Sequence, residues 1–200
     1  AQKFVCYPIR DLAGGKCLVN WIADRAKPDD FDWASQDWNR QGDKADILPA
    51  FADWAFDWLD VPALISNAEA IWEYPMVDRN PLARWTHGRM TLLGDAAHAM
   101  YPIGSNGASQ CILDARILAR ELRDQGVGAQ ALQTYEDIRR APVNQLILAN
   151  RGDGPDKVLD IVAARAPNGF DDINDVIGHA ELEQLASGYK ATAGMDIQTL

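Results

Sequence analysis

The run Thr91-Leu92-Leu93-Gly94-Asp95-Ala96-Ala97-His98-Ala99-Met100-Tyr101-Pro102-Ile103-Gly104-Ser105-Asn106-Gly107 decides how this chain reads. Residues 89–93 read as a short buried strand that ends in Gly94-Asp95. A carboxylate at the C-terminal end of such a strand is placed to accept hydrogen bonds from a ligand's hydroxyls, because open α/β sheets bind ligands at that end. Gly94 leaves room for close approach of the backbone. A glycine-punctuated loop follows, and the strongest helix of the chain, residues 106–124, starts where it stops. Ala108, Cys111, Ile112, Ala115, Leu118, Ala119 and Leu122 fall on one stripe of that helix, which predicts its buried face. Free N–H groups at the helix start, beside glycines, attract anions. A Gly-Asp pair alone is more often a plain strand end or a helix cap, so the loop and helix after it carry the argument.

Working outward, residues 4–9 and 16–23 predict an antiparallel hairpin turned at Gly14-Gly15. Residues 24–43 predict a loop, in which Trp33 and Trp38 are candidates to cap a site. Ile47, Leu48, Phe51, Trp54, Ala55 and Trp58 recur at helical steps, so residues 44–59 predict a helix with Trp54 and Trp58 in its core face. Residues 61–68 predict a short helix begun by Pro62, and residues 69–77 a strand with Pro75 at an edge or bulge. Residues 129–150 predict a helix kinked or broken at Pro142, and two further helices are expected at 154–165 and 179–193.

Composition narrows the function classes. The chain has 200 residues, 48% hydrophobic, and a net charge of −10, which opposes a nucleic-acid or anionic-membrane partner. No apolar run approaches the ~18–20 residues of a membrane span. Three scattered cysteines, Cys6, Cys17 and Cys111, have neither disulfide-framework nor metal-ligand spacing and fit a reducing cytoplasm. The first residues, Ala1 to Ile9, read as mid-strand, so the chain is expected to begin inside a larger protein.

Residues 94–110 together with Asp114 resemble the second FAD motif of the para-hydroxybenzoate-hydroxylase-like group A flavoprotein monooxygenases. The wording from Tyr101 to Gln110 is similar to the salicylate- and phenazine-hydroxylase branch, as are residues 74–81, Arg84-Trp85, Tyr135-Glu136 with Arg139, and Asn150-Arg151-Gly152. The resemblance implies a mixed α/β fold: part of a substrate-binding β-sheet plus the distal strand and helices of an FAD-binding domain. It divides the chain into a partial substrate-binding sheet domain with a helical insertion (1–80), the distal FAD-binding part with the Gly-Asp motif and long helix (81–150), and a helical tail (151–200). It assigns Asp95 to the ribityl chain, Pro102 to the flavin face near C4a, and the N–H groups of Ala108 and Ser109 to flavin O2 and N1. Gly94, Gly104, Asn106 and Gly107 complete the implied cofactor-binding set. His98 in this loop either braces it or meets the cofactor. Arg79 reads as part of a surface turn, His87 and His179 as surface residues, and Asp114 as a local cap or pair.

The implied activity is monooxygenation of a small aromatic or heteroaromatic compound through a flavin C4a-hydroperoxide, with FAD as cofactor and NAD(P)H as reductant. No side-chain nucleophile and no metal are called for. Other Gly-Asp flavoproteins, halogenases and prenyl reductases among them, are an alternative, and a non-enzymatic remnant that holds no FAD is another. The family's Gly-x-Gly-x-x-Gly pyrophosphate cradle does not occur in these residues. The isolated chain is therefore expected to bind FAD weakly or not at all, to be inactive, and to self-associate over surfaces left uncovered.

Overall fold

The computed structural model describes residues 2–25, 40–74, 76–152 and 154–194, in two compact units, Ala1–Pro75 and Met76–Leu200. Trp33, Trp38 and Pro75 lie outside the described residues.

The first unit opens with the expected hairpin, in longer form. Strands β1 (Gln2–Leu12) and β2 (Lys16–Arg25) pair antiparallel. The turn needs only Ala13, Gly14 and Gly15, and both glycines take the left-handed φ (77° and 71°) that makes so tight a reversal possible. The register shifts between Pro8 and Arg10, where a residue without an N–H interrupts the ladder. Phe4 stacks on Trp21 and meets Phe51 edge-on, joining the hairpin to a core of Phe51, Val61, Ile65 and Ile71.

The helix predicted over 44–59 is replaced by shorter pieces. Helix α1 (Lys44–Ile47), capped by the Asp43 carboxylate accepting from Ala45 N, passes into a 3₁₀ turn at Leu48–Phe51. Pro49 falls at the junction and has no N–H to donate. Beyond it, Val61 N donates to Trp54 O and closes a small hairpin of β4 (Ala55–Phe56) and β5 (Leu59–Asp60). Trp54 still packs on Phe51, but Trp58 sits on the hairpin tip, stacked on Phe56 and 79% exposed, so it is no core residue. Helix α2 (Val61–Asn67) starts as expected, with Pro62 in its first turn and Asp60 accepting from Ala63 N. The strand expected over 69–77 shrinks to Trp72–Glu73 (here β6), because its partner strand β3 (Arg40–Gln41) is only two residues long.

The second unit is mainly helical. Strands β7 (Thr86–His87) and β8 (Met90–Thr91) form a hairpin. The apolar strand expected over 89–93 is thus short, and it is not buried: Met90 is 72% and Leu93 40% exposed, because among the described residues β8 pairs only with β7. Helix α3 (Asp95–His98) is a single turn, followed by α4 (Gly107–Gln125), α5 (Ala129–Arg151), α6 (Lys157–Arg165) and α7 (His179–Thr192). Helix α5 runs through Pro142 without a break. Arg165 grips Glu181 with two 2.8 Å bonds and ties α6 to α7. Among the described residues no helix is long and apolar enough to cross a membrane.

Helix α4 buries only part of the expected stripe: Leu118 packs against the core of Trp85 and Tyr135, and Cys111 and Leu122 are half-buried. Its buried residues are Gln110, Asp114 and Glu121, whereas Ala108, Ile112, Ala115 and Ala119 face outward, Ile112 at 69% exposure. The reason is the partner: α4 packs along α5, whose inward side presents Tyr135 and Arg139. A buried guanidinium requires acceptors, and the polar side of α4 supplies them.

Candidate functional site

The strand end and the start of α4 are held by one buried carboxylate. Asp114 is fully buried. One of its oxygens accepts from Gly94 N (3.0 Å) and from His98 Nε2 (2.5 Å), and the other from Arg139 Nε (2.7 Å). Arg139 also donates to Gln110 Oε1 (2.6 Å), and Gln110 donates to Ala193 O (2.9 Å), just past α7. The node thus joins the 94–98 turn, α4, α5 and the end of α7. Burial opposes the charge on Asp114, but hydrogen bonds from His98, Arg139 and Gly94 outweigh it and hold the carboxyl below its ordinary pKa. His98 thus braces the turn through Asp114, with its ring against Trp85 and its Nδ1 buried with no partner among the described residues.

Around this node the Gly94-Asp95 step is sharply shaped. Gly94 has φ 57°, and a Cβ there would come within 3.0 Å of Cys111 Sγ, so glycine is needed for both backbone and packing. Cys111 lies one turn inside α4, which places Asp95 beside the start of that helix. Asp95 is exposed, and its carboxylate accepts no hydrogen bond from the described residues. Thr86 N donates to Glu136 Oε2 and Tyr135 Oη to Leu92 O, so α5 also fixes the hairpin that leads into the turn. Burial first, and then the nearby Asp114 charge, push the Tyr135 phenol far above its ordinary pKa, so it stays a donor.

The loop that follows turns left-handed at two successive residues. Gly104 (φ 76°) and Ser105 (φ 55°) are both left-handed, the second without glycine's freedom. Pro102 is exposed at the start of this turn and accepts from Ser105 N. Asn106 is buried and Ala108 exposed. Gly107 is half-buried, and a side chain built there would meet open space. Asn106 stands at the cap position of α4 but makes no capping bond; the first helical bond runs from Gln110 N to Asn106 O. The N–H groups of Gly107, Ala108 and Ser109 therefore point out of the helix start uncapped. Arg79 is exposed and joins the site only through its backbone, donating to Ala99 O, while Asp78 pairs with Arg151.

Residues 63–150 match the FAD binding domain family, and the chain is a homologue of FAD-dependent aromatic hydroxylases. It is 50% identical over 155 residues to phenazine 1,6-dicarboxylic acid hydroxylase PhzS of Lysobacter antibioticus, covering 76% of this chain and 38% of that protein. It is 36% identical over 138 residues to a salicylate hydroxylase of Pseudomonas putida, covering 67% of this chain and 31% of the relative. The fold is similar to that of a salicylate hydroxylase solved as a substrate complex, with TM-score 0.60 and 26% identity over 97% of this chain and 47% of the other. The chain thus spans about a third of the length of the curated relatives it matches.

Sequence reasoning named the Gly94–Ser109 set but left Asp114 as a local pair and did not single out Tyr189. The signal for Asp114 was present: Gln110, Asp114 and Glu121 repeat at helical spacing, opposite Tyr135 and Arg139 on the next helix.

Proposed function

We propose that this chain supplies the isoalloxazine end of the flavin site in an FAD-dependent monooxygenase acting on a small aromatic or heteroaromatic compound, with NAD(P)H as reductant. The uncapped start of α4 carries the reading: Asn106 makes no capping bond to its first N–H groups, a side chain added at Gly107 would meet open space, and Asp95 beside it is exposed. This donor set fits a flavin: the helix start suits its carbonyl and anionic edge, and a carboxylate suits the hydroxyls of its side chain. Bound flavin would supply the redox and oxygen chemistry. The residues here bind, orient and exclude water. Asp95 would accept from the ribityl hydroxyls, and Ala108 and Ser109 would donate to O2 and N1. Pro102, apolar at its ring and lacking an N–H, would cover one flavin face and keep water from it. Gly94, Gly104, Asn106 and Gly107 would shape the cradle.

The chain lacks the Gly-x-Gly-x-x-Gly pyrophosphate cradle, so binding of FAD by these 200 residues is expected to be weak, with a dissociation constant of roughly 0.1–1 mM. Gly107→Val is expected to abolish that binding while leaving the melting temperature unchanged, since the new side chain enters open space. Asp95→Ala should weaken it by roughly 1–3 kcal/mol. Titration followed by flavin fluorescence checks both; unaltered affinity in Gly107→Val removes the helix start from the site.

Self-association of the chain is part of the same proposal. Met90 on β8, Leu93 just past it and Ile112 on the outer face of α4 present apolar surface. Sedimentation velocity at tens of micromolar should reveal a dimer or larger species, and a monomer throughout that range would reject it.

A further inference from the structure

Helix starts with asparagine at the cap position normally satisfy themselves: the side-chain oxygen accepts from the second or third N–H of the helix. Asn106 does not do this. Its Nδ2 donates instead to Tyr189 Oη at 2.7 Å, and its Oδ1 is buried with no partner among the described residues. The Tyr189 hydroxyl in turn lies 2.8 Å from Asn150 Oδ1 and 3.2 Å from Ile103 O, and Asn150 Nδ2 donates to Tyr101 O. Tyr189 also fills the space on the Cβ side of Gly104, where an added methyl would lie 2.2 Å from its oxygen. A single phenol from α7 therefore gathers the 101–106 loop, the end of α5 and the Asn106 amide.

We propose that Tyr189 is a positioning residue whose hydroxyl holds the Asn106 side chain away from its own helix, so that the first N–H groups of α4 stay available to a ligand. The inference rests on the flavin reading above for the identity of that ligand, a planar group with a carbonyl or anionic edge. A buried asparagine amide with an unmet acceptor is costly. That cost is tolerated where folding keeps a donor set open. Asn106 has a helical backbone here (φ −95°, ψ −15°); released from Tyr189, it would relieve that cost by swinging to the extended backbone of a capping residue and turning Oδ1 onto the N–H of Ala108 or Ser109. The site would then be closed by its own cap. Tyr189 lies outside the 63–150 family match, so the device is carried by the helices that follow the FAD-binding segment.

Tyr189→Phe keeps the ring and removes only the hydroxyl. Amide exchange by nuclear magnetic resonance on the ¹⁵N-labelled chain separates the possibilities. The proposal expects the Ala108 or Ser109 amide to exchange about five- to tenfold more slowly in Tyr189→Phe, as Asn106 caps the helix. It expects no such slowing in Tyr189→Phe combined with Asn106→Ala, which has no side chain to turn. Faster or unchanged exchange in Tyr189→Phe overturns the proposal, because a phenol that merely braced the loop would loosen these amides when lost. Equal slowing in the double variant overturns it too. Addition of FAD to the unsubstituted chain, at concentrations up to a few times the expected dissociation constant, tests the other claim. Shifts of the Gly107–Ser109 amides are expected, and should be at least fivefold weaker in affinity in Tyr189→Phe. Absent shifts in the unsubstituted chain sink the flavin reading while the exchange result still judges Tyr189; equal affinities sink the role of Tyr189 alone.

Discussion

Asp114→Asn is expected to destabilise the second unit by about 3–5 kcal/mol, since it leaves the buried Arg139 guanidinium without a counter-charge. Asn can still accept from Gly94 N or from Arg139, so geometry is partly kept and the loss is mainly that of charge. Arg139 is 8% exposed and cannot turn to water without opening the α4–α5 interface. Acid should erase the difference between the two proteins. The Asp114 carboxyl is held below its ordinary pKa in the folded chain. Its contribution is therefore fully present above the unfolded value, about 3.9, and is lost as pH falls through the lower folded value. Urea unfolding between pH 3 and 7 should show parallel curves above about pH 5 that converge below about pH 4. A constant gap down to the lowest pH would mean that Asp114 carries no charge-dependent stability.

Trp85→Ala should cost a similar amount, about 3–5 kcal/mol. The indole is fully buried, with the His98 ring 5.5 Å and the Tyr135 ring 5.9 Å away, at the centre of the cluster that includes Ala97 and Val143. Trp85→Phe separates volume from polarity. Its loss should be smaller, about 1–2 kcal/mol, because the indole Nε1 is buried with no partner among the described residues and its removal relieves an unmet donor. Denaturant midpoints of the two variants check this. A phenylalanine as damaging as an alanine would show that Nε1 does have a partner in solution.

The motif itself was legible from the sequence because it is local. Gly94 and Gly104 punctuate the loop at positions whose backbone and neighbours leave little choice, and α4 begins and ends within a residue of where its pattern says. The face that α4 buries was only partly legible, because periodicity reports where apolar residues lie and not what they meet: Leu118 does pack on the core, but the fully buried residues are polar. Ala108, Ile112, Ala115 and Ala119 form a regular stripe, yet the neighbour in space is a helix carrying Arg139. Residues 44–59 failed for a related reason. Trp54 and Trp58 sit one helical turn apart in number, but Pro49 and the bond from Val61 N to Trp54 O favour a 3₁₀ turn and a hairpin over a helix. Tyr189 escaped because nothing near it in the sequence hints at Asn106, 83 residues earlier.

That separation has a consequence for how the chain is made. Translation at about 5–20 residues per second puts roughly 4–17 s between the appearance of Asn106 and that of Tyr189. A helix such as α4 forms in about a microsecond. For those seconds the nascent helix has no phenol to restrain Asn106 and is free to close on its own side chain. Arrival of α7 then pries that contact open, so the capacity to accept a ligand is a late event in biosynthesis.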